Sequence, residues 1–249
     1  MRITHSKTFA LLACLAPGSL FGAMFPGGSI STTSVLLNFD SGSGVTFLGE
    51  PPGNAICNFA NSPLWVDTPY GKGLRFHSND AAITCDEKDM PYGAMPHVVM
   101  FMAELSSPNA HQQRYFGAIG QTSGVDKRLM LIGYANGNFL SVDRGGTNST
   151  YDMKIPTATW FVVAFNYPGG NAKERAYVVQ KSTFQYQDTA ALTYNMRPNN
   201  NRWGNWVSGN TDCRCTFKHV MISNKSWSHE EVIGRAQYLL RGSQAGIVE

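Results

Sequence analysis

The feature that most limits what this chain can fold into is its final stretch, residues 215–242, CTFKHVMISNKSWSHEEVIGRAQYLLRG. A short apolar run at 216–223 reads as a strand and leads directly into a well-signalled helix. Ser228 and Glu231 stand at the S-x-x-E spacing of a capping box, where each side chain satisfies the other residue's backbone amide. Trp227 and Val232 occupy the two ends of a hydrophobic staple, and Gly242 suits the position just past a helix end. Val232, Ala236, Leu239 and Leu240 then form one apolar stripe at i, i+4, i+7 and i+8. Almost nothing upstream has that period. The pattern points to an all-β chain closed by one strand and one docked helix.

The preceding sequence supports this. Short apolar runs fall at residues 35–39, 45–48, 73–76, 82–85, 98–105, 115–119, 129–134, 139–142, 160–166 and 175–180, separated by turn-rich segments. Residues 98–103, VVMFMA, are apolar throughout, which predicts a central strand covered on both faces. An Asn-Gly pair inside residues 134–139 is a hairpin signal, and Pro168-Gly-Gly-Asn171 predicts a second hairpin with a longer loop. No repeat and no linker divides the chain. A length of 249 residues is ordinary for one sandwich, and 15% charged residues is too few for a disordered chain. The net charge of +3 comes without any Lys/Arg run, so the sequence carries no nucleic-acid footprint.

Residues 1–23 read either as a secretory signal or as an N-terminal arm. Met1 to Lys7 is basic, Phe9 to Ala16 is apolar, and Cys14 and Ala16 are small residues before a candidate cleavage point. Length and Pro17 exclude a membrane-spanning helix there. Residues 24–33 read as a flexible arm, and 34–249 as one domain. Apart from Cys14 the chain has four cysteines, Cys57, Cys85, Cys213 and Cys215, an even set that suits two disulfides in an oxidising compartment. A Cys213–Cys215 bridge is the least expected pairing, because alternate residues of a strand rarely bridge. Both other pairings would tie early strands to the last one. The expected setting is secreted or cell-surface; the alternative is a virion surface with the N-terminus kept.

Several segments, taken in order, resemble the laminin-G-like and concanavalin-A-like jelly rolls. Residues 71–76, GKGLRF, resemble that family's early G-x-(A/G)-L-x-F strand, and His97-Val-Val-Met-Phe-Met102 its next apolar strand. Residues 159–167, TWFVVAFNY, are similar to its W-x-x-V-A-x-x-Y strand, and Ala176-Tyr-Val-Val179 to the strand that follows. Residues 221–232, MISNKSWSHEEV, resemble its closing I-x-N-R-x-L-S-x-E-E-I segment. The chain departs from the family at Gln180-Lys181, where an Asp-Gly or Asn-Gly turn is usual, and in carrying Cys213-Arg-Cys215. The resemblance implies a two-sheet antiparallel jelly-roll sandwich with one short C-terminal helix. It also implies calcium as a candidate cofactor, for which Asp86, Glu87, Asp89, Asp143 and Asp212 are the available loop acids.

Such a scaffold hosts both hydrolases and lectins, so side chains decide function. A retaining glycosidase needs two carboxylates about 5 Å apart, which on a strand appear as E-x-D-x-E, and that pattern is absent. Neither a nucleophile elbow nor a phosphate loop is present. The best binding candidate is residues 199–206, NNNRWGNW. Trp203 and Trp206 would stack on sugar faces, while Asn199, Asn200, Arg202 and Asn205 would hydrogen-bond hydroxyls or carboxylates. The expectation is a non-catalytic module recognising a glycan or protein surface at the sandwich rim. A structural protein of a virion or extracellular assembly, docked through its N-terminal arm within an oligomer or larger assembly, is the first alternative. A glycan-cleaving enzyme is the second.

Overall fold

The structure, a computed structural model, describes residues 9–10, 34–39, 46–48, 56–60, 63–77, 81–86, 90–106, 113–120, 128–134, 139–143, 148–196, 201–204 and 213–242. Its strands in chain order are β1 (Phe9–Ala10), β2 (Ser34–Asn38), β3 (Thr46–Leu48), β4 (Ile56–Ala60), β5 (Leu64–Thr68) and β6 (Gly71–Phe76). Next come β7 (Ala82–Cys85), β8 (His97–Leu105), β9 (Gln113–Gly120), β10 (Arg128–Tyr134), β11 (Phe139–Asp143) and β12 (Asn148–Lys154). The last are β13 (Trp160–Tyr167), β14 (Ala172–Val179), β15 (Thr183–Leu192), β16 (Asn201–Trp203) and β17 (Cys215–Ser223), followed by the helix α1 (His229–Arg241). They form two antiparallel sheets. The first runs β1-β15-β14-β13-β8-β17-β6-β5, with β2 also on β17; the second runs β12-β11-β10-β9-β16-β7-β4-β3. The molecule is an all-β two-sheet sandwich with one short C-terminal helix, as its sequence predicts.

The uninterrupted apolar run of β8 has a direct structural cause. Val99, Phe101, Ala103 and Leu105 enter the core between the sheets, while Val98, Met100 and Met102 face outward under α1. Neighbouring β13 divides in the same way, with Phe161, Val163 and Phe165 inward and Trp160, Val162 and Ala164 outward. A strand covered on both faces has no position left for a polar residue. Val232, Ala236 and Leu240 of α1 are buried on this outer face, each Val or Leu contributing roughly 1.5–3 kcal/mol of apolar burial. The capping box forms as expected. The Glu231 amide donates to Ser228 Oγ at 3.1 Å, and the Ser228 amide donates to Glu231 Oε2 at 3.1 Å.

Strand β17 changes partners along its length. Cys215–Phe217 pairs with β6, and His219–Ser223 pairs with β2 on the same side. A bulge at Lys218 marks the change, since Phe217 lies opposite Ala103 of β8 and His219 opposite Met102. The extra residue reverses the alternation, so Phe217 and then Val220 and Ile222 all reach the inner core.

The disulfides correct the expected pairing. Cys57 of β4 lies opposite Cys85 of β7, and the two bridge within the second sheet with Cα atoms 4.0 Å apart. Cys213 bridges Cys215. The objection to that bridge assumed an extended backbone, in which alternate Cα atoms stand about 6.6 Å apart. Here β17 begins only at Cys215, and Arg214 takes φ 43°, curling the chain so that the two Cα atoms lie 5.1 Å apart. Neither bridge ties an early strand to the last one. The signal-or-arm segment 1–23 and the arm at 24–33 lie outside the described residues, except that Phe9 and Ala10 pair with Phe184 and Thr183 of β15.

Candidate functional site

Beyond the N-terminus of α1 the outer face of the first sheet turns from apolar to polar. Two neighbouring rungs across β13, β14 and β15 make this surface. Asn166 stands beside Arg175 and Arg175 beside Asp188, while the adjacent rung carries Ala164, Tyr177 and Tyr186. Alternation along β14 sends Arg175 and Tyr177 outward and Glu174, Ala176 and Val178 inward. An open pocket of about 420 Å³ lies over these rungs, lined by Asn166, Pro168, Lys173, Arg175, Tyr177, Asp188, Trp227 and His229.

The lining is held from beneath. Arg175 grips Asp188 in a two-pronged ion pair, Nε to Oδ1 at 2.5 Å and Nη2 to Oδ2 at 2.9 Å, and its guanidinium lies 5.1 Å from the centre of the Tyr186 ring. The hydrogen bond to Asp188 raises the Arg175 pKa further, so the cation is permanent. Asn166 fixes the loop entering α1, donating to the Trp227 carbonyl at 2.7 Å and accepting from the Trp227 amide at 3.2 Å. His229 packs edge-on to Tyr186 at 4.9 Å, and its Nδ1 lies 3.3 Å from the Tyr177 hydroxyl. Burial pushes the Tyr177 phenol up, which Arg175 opposes, so the hydroxyl keeps its proton at neutral pH. Arg235 covers one part of Trp227, 4.3 Å above the ring centre. Such a surface offers planar hydrogen-bonding groups and aromatic edges to a polar ligand.

The predicted rim loop fares differently. Trp203 is 0% exposed, packed between Phe101 at 6.3 Å and Phe217 at 6.4 Å, with Gly117 leaving room for the indole. Any Cβ at Gly117 would overlap that ring. Asn201, Arg202 and Trp203 form β16, an inner strand of the second sheet between β7 and β9, and no loop. A ring closed on all sides has no face for a sugar, so Trp203 belongs to the core. Arg202 is half-buried on the same strand. Asn199, Asn200, Asn205 and Trp206 lie outside the described residues, as do the calcium candidates Glu87, Asp89 and Asp212. Among the described residues no group of three or more His, Cys, Asp or Glu is placed to hold a metal.

A second polar cluster lies in the interior. Glu174 is 0% exposed and accepts from Tyr151 Oη at 2.7 Å and Tyr194 Oη at 2.8 Å. It sits opposite a bulge in β15, where the pairing shifts between Lys173 and Arg175, and its amide donates to Thr189 Oγ1 at 3.1 Å. Two phenol donors satisfy the carboxylate in place, and it is sealed from any ligand. The sequence reading passed over both clusters. Lys173, Arg175 and Tyr177 at alternate positions were the one available signal, but their partners Asp188 and Asn166 come from cross-strand register.

No protein-family model matches this chain, and no curated protein does. Solved structures do match in fold. Domain 4 of AbnA, a GH43 extracellular arabinanase from Geobacillus stearothermophilus, solved in complex with arabinotriose, superposes with a TM-score of 0.60 at 14% identity, covering 82% of this chain and 97% of that one. A botulinum neurotoxin type C structure, described as dependent on two ganglioside molecules for cell entry, gives 0.59 at 8% identity over 82% of this chain and 50% of that one. A Trypanosoma rangeli sialidase gives 0.58 at 14% identity over 84% of this chain and 33% of that one. The chain thus spans nearly all of the arabinanase domain, half of the toxin chain and a third of the sialidase. At these identities the likeness is one of fold.

Proposed function

We propose that this domain is a non-catalytic recognition module that binds a glycan in the outer-face pocket beside the N-terminus of α1. The observation that carries this is the convergence of the Arg175–Asp188 fork, His229 and Trp227 on one open depression. Sugars are bound by planar, paired hydrogen-bonding groups together with aromatic surface. The arabinanase domain solved with arabinotriose, and the neurotoxin whose cell entry depends on two ganglioside molecules, are consistent with the proposal. Among the described residues the pocket lining includes one carboxylate, Asp188, held by Arg175. Two disulfides suit secretion. None of the described helices is long and apolar enough to cross a membrane.

A glycan array followed by calorimetry on the best hit tests this. Arg175→Ala is expected to weaken binding by tenfold or more, about the value of a charge-assisted hydrogen bond, with little change in melting temperature because the pair is partly exposed. Equal binding by wild type and Arg175→Ala would remove the pocket from the proposal. A structural role in a virion or extracellular assembly is favoured by one observation, the pairing of Phe9–Ala10 with β15, which a cleaved signal would delete. An intact mass retaining Met1 supports that role, and loss of roughly the first 16–23 residues supports secretion.

A further inference from the structure

We infer that the ligand of this pocket is an acidic sugar, one whose carboxylate is read by Arg175 and Lys173; the inference rests on the pocket being a glycan site. It follows from which polar groups of the lining are already engaged and which remain. Asn166 gives its carbonyl oxygen and one N–H to the Trp227 backbone and its other N–H to the neighbouring Tyr177 hydroxyl, so it builds the wall and is not available to a ligand. Tyr177 is buried at the floor and supports His229. Arg175 carries five N–H groups. Two serve Asp188, and the neighbouring Tyr177 hydroxyl takes at most one more, so at least two donors remain on a partly exposed guanidinium.

Lys173, two residues earlier on the same face of β14, is exposed and has no ion-pair partner among the described residues. Asp188 already faces one full cation, which leaves Lys173 as the uncompensated charge of the lining. Spare donors therefore outnumber spare acceptors, and the pocket carries net positive charge. A neutral sugar would meet these donors with hydroxyl oxygens alone and leave the positive charge uncompensated. A carboxylate on the ring would engage the outer guanidinium edge and the ammonium together, and bonds to an ionised partner are the stronger kind.

Matched pairs of uronic-acid oligosaccharides and their methyl esters, galacturonate and glucuronate, separate the two levels of the proposal. In 150 mM salt at least one acid is expected to bind about tenfold or more tighter than its ester, as for a charge-assisted bond. Lys173→Gln, an exposed substitution that leaves the fold alone, is expected to cut that preference about threefold, and Lys173→Glu to abolish it. Esters that bind as well as acids would overturn the acidic-sugar inference and leave the glycan site standing. An acid preference untouched by Lys173→Glu would overturn the assignment of its reader. Failure of every saccharide on the array would overturn the glycan site itself.

Discussion

His97 carries the clearest consequence at the scale of a single residue. Its ring is 0% exposed, between Tyr167 at 5.1 Å and Tyr194 at 5.6 Å; Nδ1–H donates to the Met95 carbonyl at 2.9 Å, and Nε2 has no partner among the described residues. Burial pushes the imidazole from 6.5 down to about 4, with the Met95 carbonyl opposing more weakly. The nearby carboxylate of Glu174 is already held by Tyr151 and Tyr194. The folded pKa is depressed, so the unfolded chain takes up a proton first as pH falls. The stabilisation is complete above about 6.5, shrinks through the window down to about 4, and amounts to about 3 kcal/mol in all. Urea unfolding at pH 7.5 and 4.5 should show that loss in wild type. His97→Asn, which keeps a donor near Nδ1, should flatten the difference; an unchanged pH slope would place the acid sensitivity elsewhere. Residue-scale inference from sequence worked where local chemistry decides, as at Ser228 and Glu231, and failed at Trp203. A tryptophan among asparagines looks exposed, and only the fold shows that Phe101 and Phe217 of the opposite sheet and Gly117 of neighbouring β9 enclose it.

Among elements, strong periodicity was readable and weak periodicity was not. Strands β8, β13 and β17 and helix α1 announce themselves because burial on both faces or along a stripe leaves a long apolar pattern. Strands β5, β12 and β15 escaped notice, since polar residues such as Asp67, Asp152 and Asp188 fall inside them and pairing, not propensity, makes them strands. The two disulfides also differ in what they do for their elements. Cys57–Cys85 closes a separation of 28 residues, joining β4 to β7, and Cys213–Cys215 closes a separation of 2. Loop-closure entropy then assigns about 3–4 kcal/mol to the first and under about 2 to the second. Denaturant midpoints of Cys57→Ala/Cys85→Ala and Cys213→Ala/Cys215→Ala double variants should rank accordingly. A larger loss in the second variant would mean that the curl at Arg214 holds β17 in register and is more than a local clasp.

In the whole molecule, α1 does two jobs. It covers the apolar centre of the first sheet's outer face, and its entry loop is anchored on Asn166 at one end of the Asn166–Arg175–Asp188 rung, so a polar pocket is left at the helix's edge. The sandwich and its closing helix were legible because they repeat the same alternation many times over. The pocket was not, because it joins Asn166, Arg175, Asp188 and His229 from three strands and a helix, and no linear spacing records that juxtaposition. That pocket is where we propose a glycan sits. Amide chemical-shift mapping of the isotope-labelled protein, titrated with the oligosaccharide ranked first on the array, tests it most directly. Perturbations clustered at Asn166, Arg175, Tyr177, Asp188, Trp227 and His229 are expected, with roughly tenfold or more sugar needed to produce them in Arg175→Ala. Perturbations confined to residues 199–212, or none anywhere at saturating sugar, would contradict it.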